Sequence, residues 1–167
     1  LWVLKLTNQA ITGDKPKLFV MSAIHARELT TAELMTRFAE RLVQSYGNDA
    51  DISWILDHHE VHLLLQTNPD GRKQAEGGQL WRKNVNNNHC GNSNSRGADL
   101  NRNFPWEWGG AASTNPCSDT YQGPTPASEP EVMSVVDYVR SIFPDQRADA
   151  LDAAAPPDST GVFIDVH

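Results

Sequence analysis

The 167 residues carry a formal net charge of −7, with 39% hydrophobic and 21% charged residues, which suits one globular domain able to bury a core. The acidic balance, with no basic patch to offset it, excludes a nucleic-acid backbone as partner. No apolar run approaches the ~20 residues of a membrane span. The opening Leu1-Trp2-Val3-Leu4-Lys5-Leu6 has neither an initiator Met nor a basic n-region, so it reads as the interior of a longer chain and not as a signal peptide.

In chain order, Leu1–Leu6 and Lys17–Ile24 are apolar and β-rich enough to be strands, separated by a polar turn at Thr12-Gly13-Asp14. Thr30-Thr31-Ala32-Glu33 reads as a capping box opening a helix with Leu34, Met35, Phe38, Leu42 and Val43 on one face, ending near Tyr46-Gly47. A short helix is expected over Ile52–Leu56 and a strand over Glu60–Gln66, and Asn68-Pro69-Asp70-Gly71 is a turn signal. From about Arg72 to Pro126 periodicity gives way to Asn, Gly, Ser, Pro and Trp, and so long an irregular stretch in a compact domain is usually functional.

Ser128-Glu129-Pro130-Glu131 is a second capping box with Pro in the first turn. The helix it starts turns Val132, Val135, Val136 and Val139 inward and stops before Pro144. A polar surface loop follows over Asp145–Ser159, then a buried strand over Gly161–His167. This order predicts an α/β fold with a mixed, largely parallel sheet flanked by helices.

Cys90 and Cys117 stand 27 positions apart in Gly/Ser/Asn-rich stretches. No further Cys or His at metal spacing accompanies them, which favours a disulfide, and with it an oxidising compartment, over a metal site or two free thiols.

His25-Ala26-Arg27-Glu28 sits at a strand-to-helix junction, and His167 closes the last strand. Two close ligands plus a distant third is how an open zinc site is often built, the fourth position being left for water. On its own H-x-x-E is a weak signal; a second strand end bringing a His to the same sheet edge strengthens it. In Asp99-Leu100-Asn101-Arg102-Asn103, an Arg flanked by amides suits recognition of a carboxylate. A loop Arg paired with a neighbouring acid is the plainer alternative.

Taken together, these residues closely resemble the zinc metallocarboxypeptidases of the carboxypeptidase A and B type. The pieces that match, in order, are residues 24–28, Asn68-Pro69-Asp70-Gly71, Trp81-Arg82-Lys83-Asn84, residues 99–104, Tyr121-Gln122-Gly123-Pro124, Ser128-Glu129-Pro130-Glu131 and residues 163–167. The resemblance implies a single zinc ion bound by His25, Glu28 and His167. It implies Asn101 and Arg102 on the substrate's terminal carboxylate, Arg82 polarising the scissile carbonyl and Arg27 at an outer subsite. Asp99 would accept from the far nitrogen of His25, unless it is a simple turn Asp. The two cysteines stand where animal members carry a bridge.

The implied partner is a peptide or protein C-terminus, and the implied location is secreted, periplasmic or otherwise extracellular. Residues 1–167 then read as part of a zinc carboxypeptidase catalytic domain, truncated at both ends. The family's general-base Glu and substrate-capping Tyr fall after the third zinc ligand, so the other expectation is a relative that binds zinc and a terminal carboxylate without turnover. An amidase on the same scaffold is disfavoured by Asn101-Arg102.

His58-His59 reads as a solvated helix end sooner than as a second metal site. Trp106 and Trp108 either line a groove or pack their loop down. Asp165 shares a strand face with His167, and the sequence does not say what it orients.

Overall fold

The computed structural model describes residues 1–147 and 153–167. Strands β1 (Leu4–Leu6), β2 (Lys17–Ser22), β3 (Glu60–Leu64) and β4 (Val162–Val166) form a sheet in the order β1-β3-β2-β4. β2 runs parallel to both β3 and β4, and β1 pairs antiparallel with β3. The helices are α1 (Leu29–Ser45), α2 (Ala50–His58), α3 (Pro69–Glu76) and α4 (Pro130–Ile142).

β2 is covered on both faces, as an inner strand of a parallel sheet should be. Phe19 and Met21 pack with Ile24, Leu64, Leu100, Val132 and Val135 in one core cluster, on the α4 side. Val20 points the other way, into the α1 and α2 cluster of Met35, Ala39, Leu42, Leu56, Val61 and Leu63. The mixed sheet expected from the element order is therefore present, with helices on both faces.

Several local expectations need correction. Asn68-Pro69-Asp70-Gly71 does not make an isolated turn. Asn68 Oδ1 accepts the Gly71 N–H at 3.0 Å and caps α3, with Pro69 in its first turn. Neither capping box forms as read: α1 begins after Glu28, whose side chain makes no cap bond. Thr31 Oγ1 instead donates to Glu28 O and accepts the N–H of Ala23, a residue at φ 54° where β2 turns toward the site. At α4 the residue before Pro130 is Glu129, and Ser128 Oγ donates to the Glu129 carboxylate rather than to the helix.

Leu34 and Val43 are exposed, so the apolar face of α1 is narrower than its sequence suggests. Among the described residues β4 lies at the sheet edge with β2 as its paired strand, and it is not buried as expected: Val162, Phe163 and Ile164 are 54%, 45% and 44% exposed. The loop expected over 145–159 lies partly outside the described residues. His58 and His59 end α2 and stack on Trp54, with ring centroids at 5.4 and 5.0 Å.

Candidate active site

Parallel pairing of β2 with β4 sets Ser22 opposite Val166, so both chains leave the sheet at the same edge, just before His25 and at His167. Glu28 lies between the two imidazoles. His25 Nδ1 is 2.8 Å from Glu28 Oε1 and His167 Nδ1 is 3.1 Å from Oε2, and the ring centroids are 4.9 Å apart. One ligand atom from each of the three residues lies within 4.8 Å of the others.

Behind each imidazole stands a second carboxylate. His25 Nε2 is 3.1 Å from Asp99 Oδ1, and His167 Nε2 is 3.0 Å from Asp165 Oδ2. A neutral imidazole has one N–H. With Nε2–H given to Asp99, His25 Nδ1 presents a lone pair to Glu28, and two acceptors that close call for a cation. Two imidazole nitrogens and a carboxylate, each imidazole backed by an acid, are a donor set that zinc fits.

Asp99 is fully buried and answers the question the sequence left between a turn residue and a partner of His25. Oδ1 accepts from His25 Nε2 and from the Asn101 N–H; Oδ2 accepts from Arg82 Nε and Nη2 at 3.1 and 2.9 Å. Burial would raise this carboxyl, but the bonds from His25 and Arg82 outweigh it and hold it below the ordinary carboxylate range. Asp165 goes the other way: burial pushes its carboxyl up, against the pull of His167.

The short 3-10 turn Leu100–Arg102, capped by Asp99, brings Asn101 to the site. Asn101 Nδ2 is 3.2 Å from His167 Nε2. Arg102 donates through Nη1 to the Asn101 carbonyl, while its Nε is buried without a partner. Asn103 is not part of this recognition surface. It is fully buried, and its Nδ2 donates inward to Gln122 O, Thr125 O and Ser128 Oγ. Gly123, at φ 84°, must be glycine there, since a Cβ would meet Asn103 Nδ2 at 2.5 Å.

Local sequence pattern does not reveal the scaffold beneath as one network. Glu129 is fully buried, and its carboxylate accepts from Asn84 Nδ2, Asn86 Nδ2 and Ser128 Oγ at 2.7, 2.9 and 2.9 Å. Asn84 Oδ1 in turn accepts the Ala98 N–H, one residue before Asp99. Gly97 lies so close that a Cβ would overlap the Asn84 carbonyl. A signal was available, in that Asn84, Asn103 and Glu129 all fall inside the motifs noted above.

The Cys90–Cys117 disulfide is formed. Lys83, buried beside that loop, donates to the carbonyls of Ser95 and Pro116, and burial lowers its ammonium's pKa. Arg27 is exposed and pairs with Asp119 at 3.6 Å. Trp108 Nε1 donates to Gln122 O, which packs that indole down, whereas Trp106 is 54% exposed.

A family profile for zinc carboxypeptidases matches residues 1–154. The chain belongs to the zinc carboxypeptidase family. It is 42% identical over 131 residues to mouse carboxypeptidase A2, covering 77% of this chain and 31% of that one. With pig carboxypeptidase A1 the figures are 38% identity over 141 residues, 83% and 33%. This zinc carboxypeptidase chain thus spans about a third of the length of the curated relatives it matches. Among solved structures it superposes on thrombin-activatable fibrinolysis inhibitor with a TM-score of 0.76 at 32% identity, over 84% of this chain and 35% of that one. The carboxypeptidase A of Helicoverpa armigera gives 0.75 at 30% identity, over 83% and 34%. The profile match stops short of β4, so the place of His167 in the site rests on the geometry above.

Proposed function

We propose that this chain carries the zinc-binding and carboxylate-recognising part of an exopeptidase that removes the C-terminal residue of peptides or proteins. The observation that carries the reading is the convergence of His25, Glu28 and His167, with the Asn101 amide beside them and Arg102 following it in the chain. His25 Nδ1, His167 Nδ1 and the Glu28 carboxylate would hold one zinc ion, and a zinc ion bound there lowers the pKa of water and polarises a carbonyl.

The chain's own residues supply binding and orientation. Asn101 and Arg102 offer amide and guanidinium donors to a terminal carboxylate. Arg82 is oriented by Asp99 through Nε and Nη2. Its Nη1 has no hydrogen bond among the described residues and is free to meet an oxyanion. Arg27 lies one residue before Glu28 on the exposed side and suits an outer residue of the substrate. The disulfide supports a secreted, periplasmic or otherwise extracellular location. Among the described residues no helix is long and apolar enough to cross a membrane.

A second reading, zinc and C-terminus binding without turnover, is favoured by one observation. The carboxylates that touch the two imidazoles, Glu28, Asp99 and Asp165, are each committed to an imidazole rather than free as a base. The test is zinc stoichiometry together with hydrolysis of a blocked dipeptide bearing a free C-terminal carboxylate. One zinc per chain is expected of this chain, and turnover of the free acid but not of its amide is expected of the complete protein. Zinc in the complete protein without turnover selects the second reading; no zinc removes both.

A further inference from the structure

β4 puts Phe163 on the α4 side, where its ring lies 5.2 Å from that of Phe19. Ile164 and Val166 face the opposite way, into a groove shared with Leu18, Val20, Leu34, Met35 and Phe38. Alternation therefore sets Asp165 and His167 on the same face as Phe163. Asp165 stands opposite Met21, a residue of the apolar cluster on that face. Its Oδ1 is buried and has no hydrogen-bond partner. A carboxylate so placed is unfavourable unless something offsets its desolvation. The group that does so is His167, through Oδ2 to Nε2 at 3.0 Å.

We propose that Asp165 is a positioning residue for the metal site: it takes Nε2–H of His167 and so leaves Nδ1 as the lone pair that faces Glu28. The inference rests on the zinc reading of the site and extends it to a residue that reading does not use. A second contact sharpens it. Asn101 Nδ2 also approaches His167 Nε2, at 3.2 Å, and an amide N–H can donate only to an unprotonated nitrogen. The two contacts exclude one another. With Asp165 accepting, the proton sits on Nε2 and Nδ1 is open to the metal. With Asp165 gone, Asn101 donates to Nε2, the proton moves to Nδ1 and the ligand atom is blocked. Asp165 is thereby the counterpart, on the edge strand, of what Asp99 does for His25.

Zinc affinity of the purified chain, measured by competition with a chromophoric chelator, tests this without any need for turnover. Loss of a carboxylate behind a ligating His typically weakens metal binding about 10- to 100-fold. Asp165→Ala should fall in that range. Asp165→Asn should lie between it and the wild type, since its amide oxygen still accepts Nε2–H. Thermal melts of the metal-free proteins separate a purely structural role, which would shift the melting temperature and leave zinc affinity alone. Affinity of both variants within twofold of the wild type overturns the proposal. A wild type that takes up no zinc overturns the metal reading itself, and the inference with it.

Discussion

The two imidazoles of the site are held in opposite ways. His25 leaves a strand buried on both faces, and its rear nitrogen meets a fully buried Asp99 that also accepts from Arg82 and the Asn101 backbone. His167 ends an exposed edge strand, and its rear nitrogen meets one half-buried carboxylate. One half of the site is prepaid by the core, whereas the other depends on a few contacts at the rim. Position relative to the sheet, more than residue type, decides how firmly each imidazole is held.

The sharpest way to break that contrast is to remove the two rear carboxylates in turn. Asp99→Ala leaves the mostly buried Arg82 and the rear of His25 without their shared acceptor and should cost about 3–5 kcal/mol in urea unfolding. Asp165→Ala should cost about 1 kcal/mol, since its side chain is 22% exposed and its side-chain hydrogen bond is to His167. Equal losses would mean that the edge is as integral as the core. Next in size is the loop behind Asp99. Replacing Cys90 and Cys117 by Ser opens a loop of 27 residues and should cost roughly 3–4 kcal/mol on the loop-entropy argument. A change under ~1 kcal/mol would show that the loop's polar ties already hold it.

A smaller effect comes from His62 on β3. Burial lowers the pKa of its imidazole, against the pull of Glu60, and Nδ1 meets the Tyr138 hydroxyl at 2.7 Å. The folded state then binds this proton less readily than the unfolded one. The stabilisation is complete above the ordinary histidine value near ~6.5 and is lost as pH falls below it, by at most ~1.4 kcal/mol per pH unit. Urea midpoints at pH 7.5 and 5.5 check this, and a slope that survives His62→Gln assigns it elsewhere. Smallest is Asp119→Asn. The pair with Arg27 is exposed and should shift stability by under ~1 kcal/mol; a larger loss would place that face with the core half.

The fold class was legible in local pattern, in apolar runs ending at His25 and His167 and a helix starting after Glu28. That these three residues meet at one place was only weakly signalled by H-x-x-E and a second strand end, and more fully by the family resemblance. The rear partner of His25 was legible only through family resemblance, because nothing local links position 99 to position 25. Asp165 showed only its strand face. Whether that face is wet or apolar depends on Phe19 and Met21, more than 140 positions away. The exposure of β4 escaped prediction for a related reason, since a run such as Val162-Phe163-Ile164 reads alike at the centre of a sheet and at its edge. Thr31 misled by being a good capper whose hydroxyl serves another backbone group, and Asn68 by being read as a turn where it caps α3.

Lys83 joins the carbonyls of Ser95 and Pro116, one from each limb of the stretch that the disulfide closes. That is a second clasp on the same loop, made by charge instead of by oxidation. It needs no oxidant, so in the folded chain it holds the limbs bearing Cys90 and Cys117 together with or without the disulfide. Reduction would therefore release one clasp and leave the other. Alkaline conditions would weaken the ammonium's clasp at lower pH than for a solvated lysine.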